Sequence, residues 1–151
     1  MNNAHLHLIL NHLPITFVIL GFIVMVGGFL FRSEIVKRLA YIIFIIGAII
    51  GLYTFYTGEN AQQLLEGIKE IDNRVISTHQ QIALVFLAFL YILGLFSLIG
   101  LIVNWKKKSY SKIIALITIL FSFVVLYYGI QTGTTGGEIR HLEIIDLNNS
   151  K

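Results

Sequence analysis

Residues 113–130 read IIALITILFSFVVLYYGI, a run without Asp, Glu, Lys or Arg. A helix needs roughly 20 mostly apolar residues to cross about 30 Å of hydrocarbon, and this stretch is of that length. Three more runs are of the same kind: Leu13 to Phe31, Ile35 to Tyr56 and Ile82 to Val103. Lys37 and Arg38 near the start of the second put its crossing portion at Leu39 onward. The expected spans are therefore 13–31, 39–56, 82–103 and 113–130. Backbone amides in lipid must be satisfied within the segment, so all four read as helices. With 56% hydrophobic and 13% charged residues in 151, the chain reads as one integral membrane domain over 1–151, all-α, folded as an antiparallel four-helix transmembrane bundle.

Charge supplies an orientation. The connections after the first and third spans carry Arg32, Lys37, Arg38, Lys106, Lys107, Lys108 and Lys112 against the single acid Glu34. The other side carries Lys69, Arg74, Arg140 and Lys151 with seven acidic residues. By the positive-inside rule the short connections are cytoplasmic, and both termini face outward. This fits the inner membrane of a bacterium. The net charge of +3 is then a topology signal with possible contacts to anionic lipid headgroups, and nucleic acid is not an expected partner. Tyr41, Trp105 and Tyr110 are expected at the cytoplasmic boundary; Tyr53, Tyr56, Tyr127 and Tyr128 are expected at the outer one. The segment before the first span lacks Lys and Arg and shows no small-residue cleavage site, so that span is read as retained rather than as a signal peptide.

Small residues suggest how the spans meet. Gly47 with Gly51, and Gly129 with Gly133, are GxxxG pairs of the kind that lets helix backbones approach closely. In the outer connection, Leu64, Leu65, Ile68 and Ile71 recur at helical spacing, which predicts a short amphipathic helix lying on the surface. Ser77 followed by Gln80 resembles a capping box that would put His79 in the first turn of the third span. Pro14 is tolerated if the first helix begins beside it, and would kink a helix begun nearer Ala4. The glycines within Thr132 to Gly137 predict a turn that would let the tail fold back over the bundle mouth.

His5, His7, His12, His79 and His141 all fall on the expected outer side. With no cysteine, thiolate-bound iron–sulfur clusters, c-type haem, disulfides and Cys-based zinc sites are excluded, and any cofactor must be held by nitrogen or oxygen. His12 and His79 are expected near helix amino ends, whose partial positive charge favours the neutral imidazole that iron requires. The middle of the spans offers little beyond Tyr91, Ser97, Ser122 and glycines, which argues against a transporter or proton pump. Nothing resembles a phosphate loop, or a nucleophile with its base.

The segment Ala4 to Pro14, the Thr57-Gly58-Glu59-Asn60-Ala61 stretch taken as a turn, His79 before the third span and the ending Gly136 to His141 together resemble a bacterial family of four-span inner-membrane proteins of unknown function. The family pattern matches at His7, His12, His79 and His141, not at His5. Leu142 and Glu143 stand where many relatives place glycine or proline. Some members of that family are joined to Rieske-type or cytochrome-type redox domains, so the resemblance implies an electron-transfer setting.

Three readings follow. The first is a haem b module, an electron carrier rather than an enzyme, with His12 and His79 as axial ligands. His7 and His141 would form a second pair or orient the first, Arg74 or Arg140 would meet the propionates, and Glu59 would accept from a ligand N–H. The second is a zinc or copper site held directly by His12, His79 and His141, with Glu59. The third needs no cofactor: an accessory subunit packing against a larger membrane complex or redox proteins.

Overall fold

The computed structural model describes residues 10–65 and 73–149. They form four helices, α1 (Leu13–Leu30), α2 (Glu34–Leu65), α3 (Asn73–Trp105) and α4 (Ser111–Asn149), with no strand among the described residues. Each contains a segment long and apolar enough to cross a membrane: Leu13–Leu30, Glu34–Gly58, Arg74–Trp105 and Ser111–Glu138. Helix α1 packs on α2 and α4, and α3 packs on α2 and α4, so α1 and α3 face each other across a diagonal.

Two connections are short because both preceding helices end in the same tight motif. After α1, Arg32 N–H bonds Phe29 O and Ser33 N–H bonds Gly28 O; after α3, Lys107 N–H bonds Asn104 O and Lys108 N–H bonds Val103 O. These are the paired bonds of a Schellman turn, which sets one residue in the left-handed region. Here that residue is Arg32 (φ 53°) in one turn and Lys107 (φ 51°) in the other. Ser33 then starts α2, its hydroxyl accepting from Val36 N–H at 3.4 Å, the geometry of an N-cap. We call this the basic end and its opposite the terminal end.

Contacts between neighbours fix their register. A Cβ on Gly28 would lie 2.8 Å from Lys37 N, one on Gly21 would strike the Phe44 ring, and one on Gly47 would lie 2.9 Å from Phe17 Cβ. Gly100 receives the Tyr41 ring, Gly94 faces Ala48, and Gly51 faces Leu90 and Leu87. Phe96 meets Phe121 and Phe89 stacks on Tyr128, while Phe22 meets Phe123 edge-on. The core is apolar, built on Val18, Met25, Phe44, Leu90, Leu93 and Val125, all fully buried.

Several expectations change here. The glycines of the first GxxxG pair serve different neighbours, Gly47 facing α1 and Gly51 facing α3; those of the second both receive Ile15 of α1. Tyr41 is not an interfacial anchor, because it is wholly buried beneath Gly100. The Thr57–Ala61 turn and the Thr132–Gly137 turn are both helical, lying inside α2 and α4. Thr57 and Thr132 donate their hydroxyls to the carbonyls of Tyr53 and Tyr128, and no glycine among the described residues takes a positive φ. Leu64 and Leu65 are the last turn of α2 rather than part of a separate surface helix, while Ile68 and Ile71 lie outside the described residues. At 39 residues α4 is about 58 Å long, far beyond the hydrocarbon thickness, so it runs straight out past the bundle instead of folding back.

Candidate functional site

Of the candidate ligands, His12 and His79 have described side chains, and both stand at the terminal end. Helix α1 starts at Leu13 with Pro14 in its tolerated first turn, so no kink arises. His12 is the residue before the first turn, its carbonyl accepting from Thr16 N–H at 3.0 Å and Thr16 Oγ1 at 2.9 Å; its side chain is exposed.

His79 is placed differently from the sequence reading. Because α3 begins at Asn73, Ser77 is no cap: its hydroxyl and that of Thr78 both donate back to Arg74 O. His79 therefore sits beyond the first turn, where the helix-dipole argument for a neutral ring loses its force. A specific contact takes its place. His79 Nδ1 lies 2.9 Å from Thr135 Oγ1 of α4, and the ring rests against Gly136, where a Cβ would come within 3.1 Å of Cε1.

Thr135 Oγ1 also lies 3.1 Å from Gln131 O and 3.2 Å from Thr132 O, so the hydroxyl sits between the His79 ring and the α4 backbone. The contact holds the ring through Nδ1, with either partner able to donate.

Register on α4 relates the two histidines. Ile15 packs against Gly129 and Gly133, and His12 precedes it by about 4.5 Å of helix rise; His79 meets Thr135 and Gly136. The two lie within about one helical turn of the same level, on helices that face across the diagonal. Other residues near this level are small or polar. Thr54 Oγ1 lies 3.4 Å from Leu10 O, and Asn11 Oδ1 is buried without a hydrogen bond.

His141 lies in α4 six residues past Thr135, roughly 9 Å farther along the axis. Arg140 precedes it, and Glu59 follows Gly58 in α2; the side chains of His141, Arg140 and Glu59 lie outside the described structure, as do His5 and His7 entirely. Arg74 is exposed at the start of α3. Among the described residues no group of three or more His, Asp or Glu side chains comes close enough to hold a metal ion.

The basic end holds polar residues that sequence reasoning passed over. Asn104, 1% exposed, accepts from Arg38 Nε at 2.6 Å through Oδ1, and its Nδ2 donates to Glu34 Oε2 and to Ser111 Oγ at 3.2 Å. Glu34 also binds Lys37 Nζ at 2.6 Å, and the Arg38 guanidinium lies 6.0 Å from the centre of the Trp105 ring. One asparagine thus joins α2, α3 and α4. Its signal was a lone amide closing an apolar run, the kind of residue a membrane helix rarely carries without a partner.

Comparison with protein-family models, with curated proteins and with solved structures finds no match to this chain.

Proposed function

We propose that this is a multi-pass protein of the bacterial cytoplasmic membrane, an antiparallel four-span bundle with both termini outside, whose terminal end carries a b-type haem for one-electron transfer. Membrane residence rests on the four apolar helices and on their outward faces, where Ile23, Leu95, Leu120, Phe123 and Ile130 are each more than half exposed. Orientation rests on the basic connections.

The observation that carries the haem reading is the His79–Thr135 bond. A hydrogen bond at Nδ1 that orients the ring is the kind of contact by which proteins position a metal-ligating histidine. The residues fit such a group in two further respects. His12 supplies a second imidazole at a similar level on the opposing helix, and Asn11 offers an unsatisfied buried oxygen nearby in sequence. When bound, haem iron supplies the one-electron chemistry. The chain would hold it through His12 and His79, keep the ring of His79 aligned through Thr135, and present Arg74 and Arg140 for propionates. His7 and His141 remain candidates for a second pair, and Glu59 for an outer acceptor. The family resemblance agrees with an electron-transfer setting.

A zinc or copper ion bound directly by His12, His79 and His141 draws on the same histidines, and the side chain of His141 lies outside the described structure. An accessory subunit packed against a larger complex or redox proteins is the alternative that the test must separate. The test is a reduced-minus-oxidised absorption spectrum, with elemental analysis, of the protein purified from its own membranes in mild detergent. We expect a sharp α band that is lost in His79→Ala. A flat spectrum with stoichiometric zinc or copper would replace haem by the direct metal site; a flat spectrum without metal would leave the accessory role.

A further inference from the structure

The cations of the basic end are not balanced by acids. From Asn73 to Gly137 the chain contains no Asp or Glu, so Lys106, Lys107 and Lys108 have no carboxylate near them in sequence. Glu34, the acid at this end, is taken by Lys37 Nζ at 2.6 Å and by Asn104 Nδ2. The three lysines are exposed and form no ion pair among the described residues. Exposed lysines by themselves are explained by topology and by solvation.

Arg38 is not explained in that way, because its guanidinium is held in place. Nε donates to Asn104 Oδ1 at 2.6 Å, Nη2 donates to Asn104 O at 3.5 Å, and Cζ lies 6.0 Å from the centre of the Trp105 ring. Two of its five N–H groups are thereby used, and the rest meet no acceptor among the described residues. A fixed planar fork without a carboxylate partner suits the oxygens of a phosphate group. What lies beneath the fork is apolar. Ile42 follows Arg38 by one turn of α2, and Ile102 precedes Trp105 by about one turn of α3, so each shares a side with its neighbour. Both isoleucines are exposed, and so is Trp105. A cationic head above an outward apolar surface is the complement of an amphiphile, whereas a free phosphate would use the fork and leave the isoleucines idle.

We propose that the basic end binds an anionic phospholipid in the seam between α2 and α3, its phosphate on Arg38 and its acyl chains along Ile42 and Ile102. Lys106, Lys107 and Lys108 supply the surrounding positive charge, as basic pockets at helix ends do for anionic headgroups. A zwitterionic headgroup is disfavoured because it brings its own cation to a place where the acid, Glu34, is already paired. Asn104 then has two tasks, joining the helices and aiming the guanidinium. This site requires the membrane residence proposed above and is independent of the haem.

Trp105 is the one tryptophan of the chain, so its fluorescence reports the lipid beside it. The intact protein is reconstituted into phosphatidylcholine bilayers containing, at equal fraction, brominated phosphatidylglycerol or brominated phosphatidylcholine, since bromine quenches an indole on contact. The anionic lipid should quench with an apparent affinity several-fold above that of the zwitterionic one. Arg38→Lys keeps the charge but loses the fork, and should bring that ratio most of the way to one. Replacing Lys106, Lys107 and Lys108 together by Gln, which removes no bond among the described residues, should lower the ratio as well. Millimolar inorganic phosphate should leave it unchanged. Equal quenching by the two lipids in the unaltered protein would overturn the proposal. So would a ratio that neither variant alters, or one that inorganic phosphate abolishes. Quenching by neither lipid would overturn the membrane reading itself.

Discussion

At the basic end, Asn104 on α3 bonds groups of α2 and α4 and two Schellman turns close the connections within a few residues, whereas the cross-helix contacts of the terminal end include Thr54 to Leu10 O and His79 to Thr135. There α2 runs on to Leu65 and α4 to Asn149, beyond the segments long and apolar enough to cross a membrane. One buried amide joins three helices at the basic end, and one imidazole meets α4 at the terminal end. On the proposed reading the first contact fastens the bundle and the second serves a cofactor.

Substitutions at each end put that division to the test. The largest loss of stability should come from Asn104→Ala, which leaves Glu34, Arg38 and Ser111 each short of a bond; we expect about 3 kcal/mol, read as a lowered midpoint of chemical unfolding in detergent. The protein that remains folded should keep its haem spectrum. A loss of the spectrum in proportion to nothing but Asn104 would show that the two ends are coupled. Next is Gly28→Ala, whose new Cβ would stand 2.8 Å from the backbone of Lys37; forcing α1 from α2 should cost about 2 kcal/mol in the same assay.

At the terminal end the order of effects reverses. Thr135→Val should change stability by about 1 kcal/mol or less, yet it removes the hydroxyl that holds His79 through Nδ1, and a redox titration should register a displaced midpoint potential. If Thr135→Val were as damaging to unfolding as Asn104→Ala and silent in the titration, the terminal end would be a second fastening. The smallest effect has the opposite sign. Arg32→Gly and Lys107→Gly relieve left-handed backbone at side-chain-bearing residues, and each should raise stability by about 0.5 kcal/mol after the added chain entropy is counted.

The four spans were legible because length and the absence of charge decide a membrane helix almost alone. Their terminal-side ends were not. Thr57-Gly58 and the Thr132–Gly137 segment carry turn-forming residues, but the threonines give their protons to helix carbonyls and the glycines admit neighbours, as Gly136 admits the His79 ring. A residue type that breaks a helix in water is retained in one whose faces are packed. Choosing His12 and His79 needed only their positions beside apolar runs; finding Thr135 needed the register of α4 against α3, which no single segment specifies. Tyr41 was misplaced for a related reason. An aromatic near a span end reads as an interfacial anchor until Gly100, distant in sequence, is seen to receive it.

The account stands most directly on the axial pair, and low-temperature electron paramagnetic resonance of the oxidised protein measures it. The unaltered protein should show the low-spin ferric signal of two imidazole ligands, and His12→Ala and His79→Ala should each convert it to a high-spin signal or abolish it. A ferric signal identical in all three proteins, or none in the unaltered one, would contradict the assignment.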